Sequence, residues 1–127
     1  MDFDDAVSGV RDLCTRLPEV TERLSHHTPT FFIRDKKVLV HVWDNHHGDH
    51  GICLWCAAPD GVQAEVVEAD PERFFRPPYV GHRGWIGMRL DVGELDWDEV
   101  FEVLVDAYRL VAPKTLVTRL DAQQAGS

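Results

Sequence analysis

Apolar residues recur at spacings of three and four near the N-terminus of the chain. This stripe consists of Phe3, Val7, Val10, Cys14 and Leu17. The spacing predicts an amphipathic helix over residues 2–17, which Pro18 ends. Acidic residues at its start suit the positive end of the helix dipole.

A second helical pattern lies near the C-terminus. Asp96, followed by Glu99 three residues later, resembles a capping box at a helix start. The residues behind it have one broad apolar face, which predicts a helix that Pro113 interrupts. We expect residues 114–120 to add one or two turns.

Between these helices the pattern changes to β-branched and aromatic residues. It predicts strands at residues 20–25, 30–34, 37–43, 51–57 and 84–91. In the third of these, alternation orients Val38, Val40 and Val42 to one face and Leu39, His41 and Trp43 to the other.

Two short helices are also predicted before the last strand. One covers residues 62–69, and the other begins at Pro71 and carries Phe74 and Phe75. The element order is typical of an α+β fold with two layers, an antiparallel β-sheet with the N- and C-terminal helices packed on one face. We expect one domain over residues 1–120 and a disordered tail over residues 121–127.

Composition narrows the possible partners. The chain has 127 residues and a formal net charge of −9. Because phosphate contacts depend on Lys and Arg, an acidic protein binds DNA only through a segregated basic patch. Neither a secretory signal nor an apolar run of about 20 residues is present, which predicts a cytoplasmic protein that makes no membrane contact. We favour a monomer.

The sequence WDNHHGDHGICLW, residues 43–55, raises the question of a metal site. His46, His47 and His50 fall in a predicted strand connection, where a polar, solvated loop is expected. Cys53 and Cys56 lie three apart on a strand, so their sulfur atoms should point to opposite faces. We therefore predict no metal site here and reduced, buried cysteines.

The sequence contains no motif that indicates catalysis. It has no Gly-x-Ser-x-Gly and no glycine-rich phosphate loop that opens a helix. We expect no catalytic activity, no catalytic residues and no cofactor.

Residues 76–87 are unusually rich in proline, glycine, arginine and aromatic residues. Loops of this kind often bind ligands. Tyr79, His82, Arg83 and Trp85 either line a groove for an anion or a stacked base, or Tyr79 and Trp85 pack the sheet edge while Arg83 is exposed.

Segments along nearly the full chain carry a family resemblance. The segments that carry it are Leu-Pro-Glu-Val-Thr-Glu at 17–22, Pro-Thr-Phe-Phe-Ile at 29–33, the hairpin with Lys36 and Lys37, the aromatic, proline-rich turn before Gly84-Trp85-Ile86, and residues 106–114. In this order and spacing the chain resembles the MmcQ/YjbR-like family of small bacterial proteins. The resemblance implies a fold similar to CyaY and, through a double wing of hairpins, DNA binding.

Two functions therefore remain open. The first is a DNA-binding module without catalytic activity. The second is a protein that binds or sequesters a small anionic or aromatic ligand in a pocket near residues 76–85. The residues expected to contact nucleic acid or an anion are Arg34, Lys36, Lys37, Tyr79, His82, Arg83, Trp85 and Lys114.

Overall fold

The structure, a computed structural model, describes residues 1–45 and 51–126. Its helices are α1 (Phe3–Cys14), α2 (Val62–Ala69), α3 (Trp97–Val111) and α4 (Lys114–Ala125), with a short 3-10 helix at Gly81–Arg83. Its strands are β1 (Val20–Ser25), β2 (Thr28–Ile33), β3 (Lys37–Asn45), β4 (Gly51–Cys56), β5 (Phe74–Phe75) and β6 (Ile86–Arg89). None of the helices in the described part of the chain is long and apolar enough to cross a membrane.

The strands form one sheet in the order β1-β2-β3-β4-β6-β5, and every neighbouring pair is antiparallel. The predicted α+β class is confirmed. Strand β3 lies near the centre of the sheet and pairs with β2 and β4. Strand β3 therefore contributes side chains to the packing on both faces of the sheet.

One face of the sheet packs against helices α1, α3 and α4. Their buried side chains join the inward side chains of the strands in one cluster that extends from Ala6 to Leu120. Tyr108 is the largest fully buried side chain of this cluster, and its hydroxyl donates a hydrogen bond to the Pro18 carbonyl at 2.7 Å. The polar atom of an otherwise apolar core is thereby paired, as burial requires.

Local capping explains where helices α1 and α3 begin. In α1, Asp2 accepts a hydrogen bond from the Asp5 amide at 2.8 Å while the Asp5 carboxylate accepts one from the Asp2 amide. In α3, Asp96 caps the amide of Asp98, whereas the sequence suggested a box closed by Glu99. Both caps pair amides that the helix itself leaves unbonded.

Strand β3 contains a bulge, and because of it the predicted orientation of Val38 and Leu39 is wrong. Phe31 pairs with Val40 and Phe32 with Val38, so Leu39 is the extra residue of this pairing. As a result Leu39 joins Val40 and Val42 in the helix-facing core, and Val38 lies on the opposite face. Simple alternation fails here because a bulge shifts the side-chain parity of its strand by one.

The prediction of a helix that carries Phe74 and Phe75 is wrong. These residues form the short edge strand β5, in which Phe74 pairs with Met88 and Phe75 with Gly87. Gly87 has no side chain, and a Cβ atom at this position would overlap the Phe75 ring. The aromatic pair and the gap at Gly87 favour a strand over a helix, and neither feature is visible from local spacing.

Helix α4 is longer than predicted and reaches Ala125, into the stretch for which the sequence predicted a disordered tail. Leu116 and Leu120 are buried against the core. Beyond them, the Gln123 side chain donates a hydrogen bond to the Arg16 carbonyl at 3.2 Å, and Asp121 pairs with Arg109. These polar contacts hold a segment whose apolar pattern is too weak to predict a helix.

Candidate functional site: an aromatic pocket beside two cations

The face of the sheet opposite the helices carries a cavity of about 480 Å³. It will be called the aromatic pocket. Its lining residues are His26, His41, Trp43, Asp44, Trp55, Pro78, Tyr79 and Val80. A cavity of this size and composition falls within the usual range for small-molecule sites, about 300–1,000 Å³.

Strand parity creates the floor of the aromatic pocket. His41 and Trp43 alternate with the core residues of β3, and His41 is paired in register with Trp55 of β4. The Trp43 and Trp55 ring centroids lie 4.9 Å apart, and those of His41 and Trp43 lie 5.7 Å apart. The floor is therefore a continuous surface of tilted rings.

Residues 78–80 form the wall that lies across from this floor, and helix α2 anchors the loop that carries them. The Gln63 side-chain amide donates hydrogen bonds to the carbonyls of Gly81 at 2.7 Å and Trp85 at 2.6 Å. Both ends of the 3-10 turn are thus tied to the body of the protein. The wall has a fixed base although it contains little regular structure.

Tyr79 lies at the rim of this wall in a strained conformation. Its φ is +65°, and the Val80 amide donates to the Pro78 carbonyl at 2.7 Å, which defines a classic γ-turn. The side chain is 86% exposed although it lines the pocket. Strain of this kind in a residue other than glycine concentrates at functional sites.

His41 is held as a neutral imidazole. Its Nδ1 lies 3.0 Å from the Thr30 hydroxyl, which donates its own proton to the Thr28 carbonyl at 3.1 Å. The contact with Thr30 fixes the orientation of the His41 ring. Burial, with a smaller contribution from His26, lowers the pKa of His41 to about 4.

The indole nitrogens of the floor also bear on its chemistry. The Nε1 atoms of Trp43 and Trp55 are buried and have no hydrogen-bond partner among the described residues. Burial raises the pKa of the Cys53 thiol to about 12, against a smaller opposing effect of the Trp55 side chain. Polar groups therefore add little charge to the floor.

A second depression, of about 500 Å³, adjoins the aromatic pocket and shares His41 and Val80 with it. It will be called the basic depression. Its other lining residues are Lys37, Val38, Ala57, Arg83, Trp85, Leu110 and Val111. Arg83 lies over the Trp85 ring, 5.3 Å from its centroid. This lining contains two cations and no carboxylate.

The structure brings together only part of the predicted site. Lys37, Arg83 and Trp85 line the basic depression, and Tyr79 lines the adjoining aromatic pocket. Trp85 is buried and Arg83 is exposed, as in the alternative in which the aromatic residues pack the sheet edge. Tyr79 is exposed, which that alternative did not predict.

The remaining predicted residues lie outside both linings. Arg34 forms an ion pair with Glu19 at 3.3 Å. The Glu19 carboxylate also lies 3.6 Å from Arg119. Lys36 is exposed in the β2–β3 turn and His82 in the 3-10 helix, and Lys114 is the first residue of α4.

The sequence reasoning missed the floor of the aromatic pocket. His26, His41, Trp43 and Trp55 were not named as site residues. A usable signal was present, because His41 and Trp43 alternate on one strand and Trp55 has the same parity on the next. What was missing was the register that sets Trp55 opposite His41.

The positions of the two cysteines bear on whether residues 43–55 form a metal site. Cys53 lies in the cluster on the pocket face and Cys56 in the helix-facing core, which confirms that the two sulfur atoms are on opposite faces. No group of three or more potential ligands assembles within residues 1–45 and 51–126. His46, His47 and His50 lie outside the described residues.

Comparison with known proteins adds a family and a fold. A family model described as YjbR matches residues 15–110. The crystal structure of Deinococcus radiodurans protein DR2400, with the family-model domain DUF419, superposes with a TM-score of 0.70 at 19% identity, covering 91% of this chain and 87% of the other. No curated protein matches the chain.

Proposed function

This chain belongs to the YjbR family, and we propose that it binds a planar aromatic small molecule in the aromatic pocket. Family and fold alone do not determine a function, so the proposal depends on the site. The observation that carries it is the lining of the pocket, which offers ring faces from Trp43 and Trp55 below and from Tyr79 at the rim.

The pocket favours flat, apolar ligands for a physical reason. Aromatic rings bury a large area, and each offset or edge-to-face contact adds about 0.5–1.5 kcal/mol beyond that burial. Trp43 and Trp55 are already held against each other, so the floor loses little conformational entropy when a ligand binds. Tyr79 is the exposed ring that gains most contact area.

The proposal assigns binding without a chemical step. A general base for neutral pH needs a pKa near 7. Burial lowers the pKa of His41 to about 4, so its imidazole is a weak base. The hydrogen bond to Thr30 instead fixes the orientation of the ring as part of the floor.

Ligand screening tests this function directly. Flat bicyclic aromatics should raise the melting temperature and quench tryptophan fluorescence, because a ligand that binds only the folded state stabilises it. Tyr79→Ala should weaken binding about tenfold, through the loss of one ring contact. The control is Leu24→Ala, which removes an equally isolated apolar side chain, 71% exposed, outside the pocket lining. Unchanged affinity in Tyr79→Ala would exclude the aromatic pocket as the site.

A second candidate function is DNA binding, and one observation favours it. Lys37 and Arg83 line the same depression, whose lining lacks a carboxylate. The net charge of −9 opposes it, because long-range repulsion of phosphates must be overcome locally. DNA would contact the cations through phosphate and could stack a base on Tyr79.

Fluorescence anisotropy with labelled duplex and single-stranded DNA at low salt decides this alternative. DNA binding predicts an affinity that falls steeply with salt and is weakened by Arg83→Glu. The matched control is Arg16→Glu, the same charge change beside Phe101 of helix α3. No anisotropy change at 20-fold excess protein, or equal losses in both variants, would eliminate the basic depression as a DNA site.

A further inference from the structure

The aromatic pocket and the basic depression are two parts of one continuous surface. His41 and Val80 belong to both linings, so the two depressions adjoin at these residues. The two parts differ sharply in character. One presents rings, and the other presents an ammonium and a guanidinium group at its edge.

The cations of the basic depression are available to a ligand. Most arginines elsewhere are committed: Arg11 pairs with Glu22 at 2.6 Å and Arg34 with Glu19 at 3.3 Å. Lys37 and Arg83 make no ion pair with any other described residue. The basic depression therefore brings together two cations without an ion-pair partner among the described residues, in a protein with nine more acidic than basic residues.

The opposite end of the aromatic pocket has the reverse charge. Asp44 lines it there, on the same strand as Lys37 and seven residues further along. A strand rises about 3.3 Å per residue, so the two groups lie roughly 20 Å apart along β3. The cationic end of this surface, at Lys37 and Arg83, therefore attracts a ligand with one negative group.

We propose that the ligand is a planar aromatic anion, whose ring occupies the aromatic pocket and whose carboxylate, sulfonate or phosphate group contacts Lys37 and Arg83. This inference rests on the proposed function, because it specifies the ligand class for the same pocket. Arg83 is suited to this role, since a guanidinium stacked on an indole still presents its N–H donors at its edge.

Three probes with one ring system separate the contributions of ring and charge. They are 2-naphthoate, the neutral 2-naphthalenemethanol and the cationic 2-naphthylmethylammonium. At low salt we expect the anion to bind about tenfold more tightly than the alcohol and the cation to bind least, measured by tryptophan quenching and calorimetry. The preference should shrink as salt is raised, because the cations are exposed.

Substitution of the cations should remove the preference without removing the site. Lys37→Gln should reduce the anion-to-alcohol ratio several-fold, Lys37→Gln with Arg83→Gln should bring it close to one, and the affinity for the alcohol should stay as in the wild type. Lys36→Gln is the matched control, since Lys36 is the exposed neighbour outside both linings and its loss should leave the ratio unchanged.

The outcomes distinguish this inference from the function on which it rests. Equal binding of anion and alcohol by the wild-type protein overturns the aromatic-anion class and leaves a general aromatic site intact. Equal losses in Lys36→Gln and Lys37→Gln show a diffuse charge effect and overturn the assigned contact. Binding of none of the three probes overturns both proposals, and DNA that displaces bound naphthoate assigns the site to nucleic acid instead.

Discussion

The thiols of Cys14, Cys53 and Cys56 are all buried, and burial raises the pKa of each to about 12. Only the thiolate is nucleophilic, so none of them should react quickly at neutral pH. We expect a thiol reagent at pH 7.5 to modify the native protein far more slowly than the urea-unfolded protein, in which three thiols should react at once. Fast modification of one thiol in the native state would identify a functional cysteine that burial does not explain.

The imidazole of His41 should make stability depend on pH. Its pKa is lowered to about 4 in the folded state, against about 6.5 when unfolded. As pH falls from 6.5 towards 4, the unfolded state takes up the proton first, so stability falls across this window and levels off below it. The titratable and charged groups that line the depressions around this ring are His26, Asp44 and Tyr79 in the aromatic pocket, and Lys37 and Arg83 in the basic depression.

His41→Gln should therefore flatten the dependence of stability on pH. We expect the wild-type protein to lose roughly 1–2 kcal/mol more than the variant between pH 7 and pH 4, a figure that allows for solvent at the half-buried ring. Urea unfolding at several pH values measures this difference. The same substitution at the exposed His82 is the control, and identical slopes for the wild type and His41→Gln would contradict the assignment.

At the scale of single residues, the sequence predicted orientation wherever alternation is regular. It separated Cys53 from Cys56 correctly, because β4 is a regular strand. It assigned Val38 and Leu39 to the wrong faces of the sheet, because the bulge opposite Phe31 and Phe32 depends on pairing between strands. A bulge is a property of two segments together, and no single segment reveals it.

At the scale of elements, the β5–β6 edge depends on the absence of a side chain at Gly87. The Phe75 ring occupies the space where a Cβ atom would lie. Gly87→Ala should displace this ring and destabilise the protein by about 1–3 kcal/mol, as overpacking does in close-packed regions. Gly126→Ala is the control, since its nearest neighbours would lie at ordinary or slightly short contact distances.

Denaturant midpoints for the two glycine variants give the comparison. Phe75 belongs to the same cluster as Trp55 and Trp85, so the Gly87 variant should also change the tryptophan fluorescence of the native protein. Wild-type stability in Gly87→Ala would mean that β5 is not packed on β6 as described. The sequence predicted a helix here because two adjacent phenylalanines after a proline fit either structure, and only the partner strand decides.

At the scale of the whole molecule, the candidate site arises where distant segments converge on one sheet face. Residues 26, 41, 43, 44, 55 and 78–80 share the aromatic pocket, and residues 110–111 reach the basic depression from the end of α3. The sequence predicted the 76–87 segment as a binding loop and named Lys37, Tyr79 and Arg83. It could not predict the floor beneath them, because which strand lies next to which is set by the global sheet order.

The C-terminal end of α4 contributes to the stability of the helical layer through polar contacts. Arg109 of α3 pairs with Asp121 of α4, and Gln123 donates to the Arg16 carbonyl beyond the end of α1, so residues after Leu120 connect three helices. Removal of residues 121–127 should cost about 1–2 kcal/mol, because one exposed ion pair and two exposed side-chain hydrogen bonds are lost, and each contributes about 0.5 kcal/mol. Removal of residues 126–127 alone should leave the urea midpoint unchanged. Equal midpoints for the two truncated proteins would mean that the chain beyond Leu120 adds nothing to the fold, as a disordered tail would.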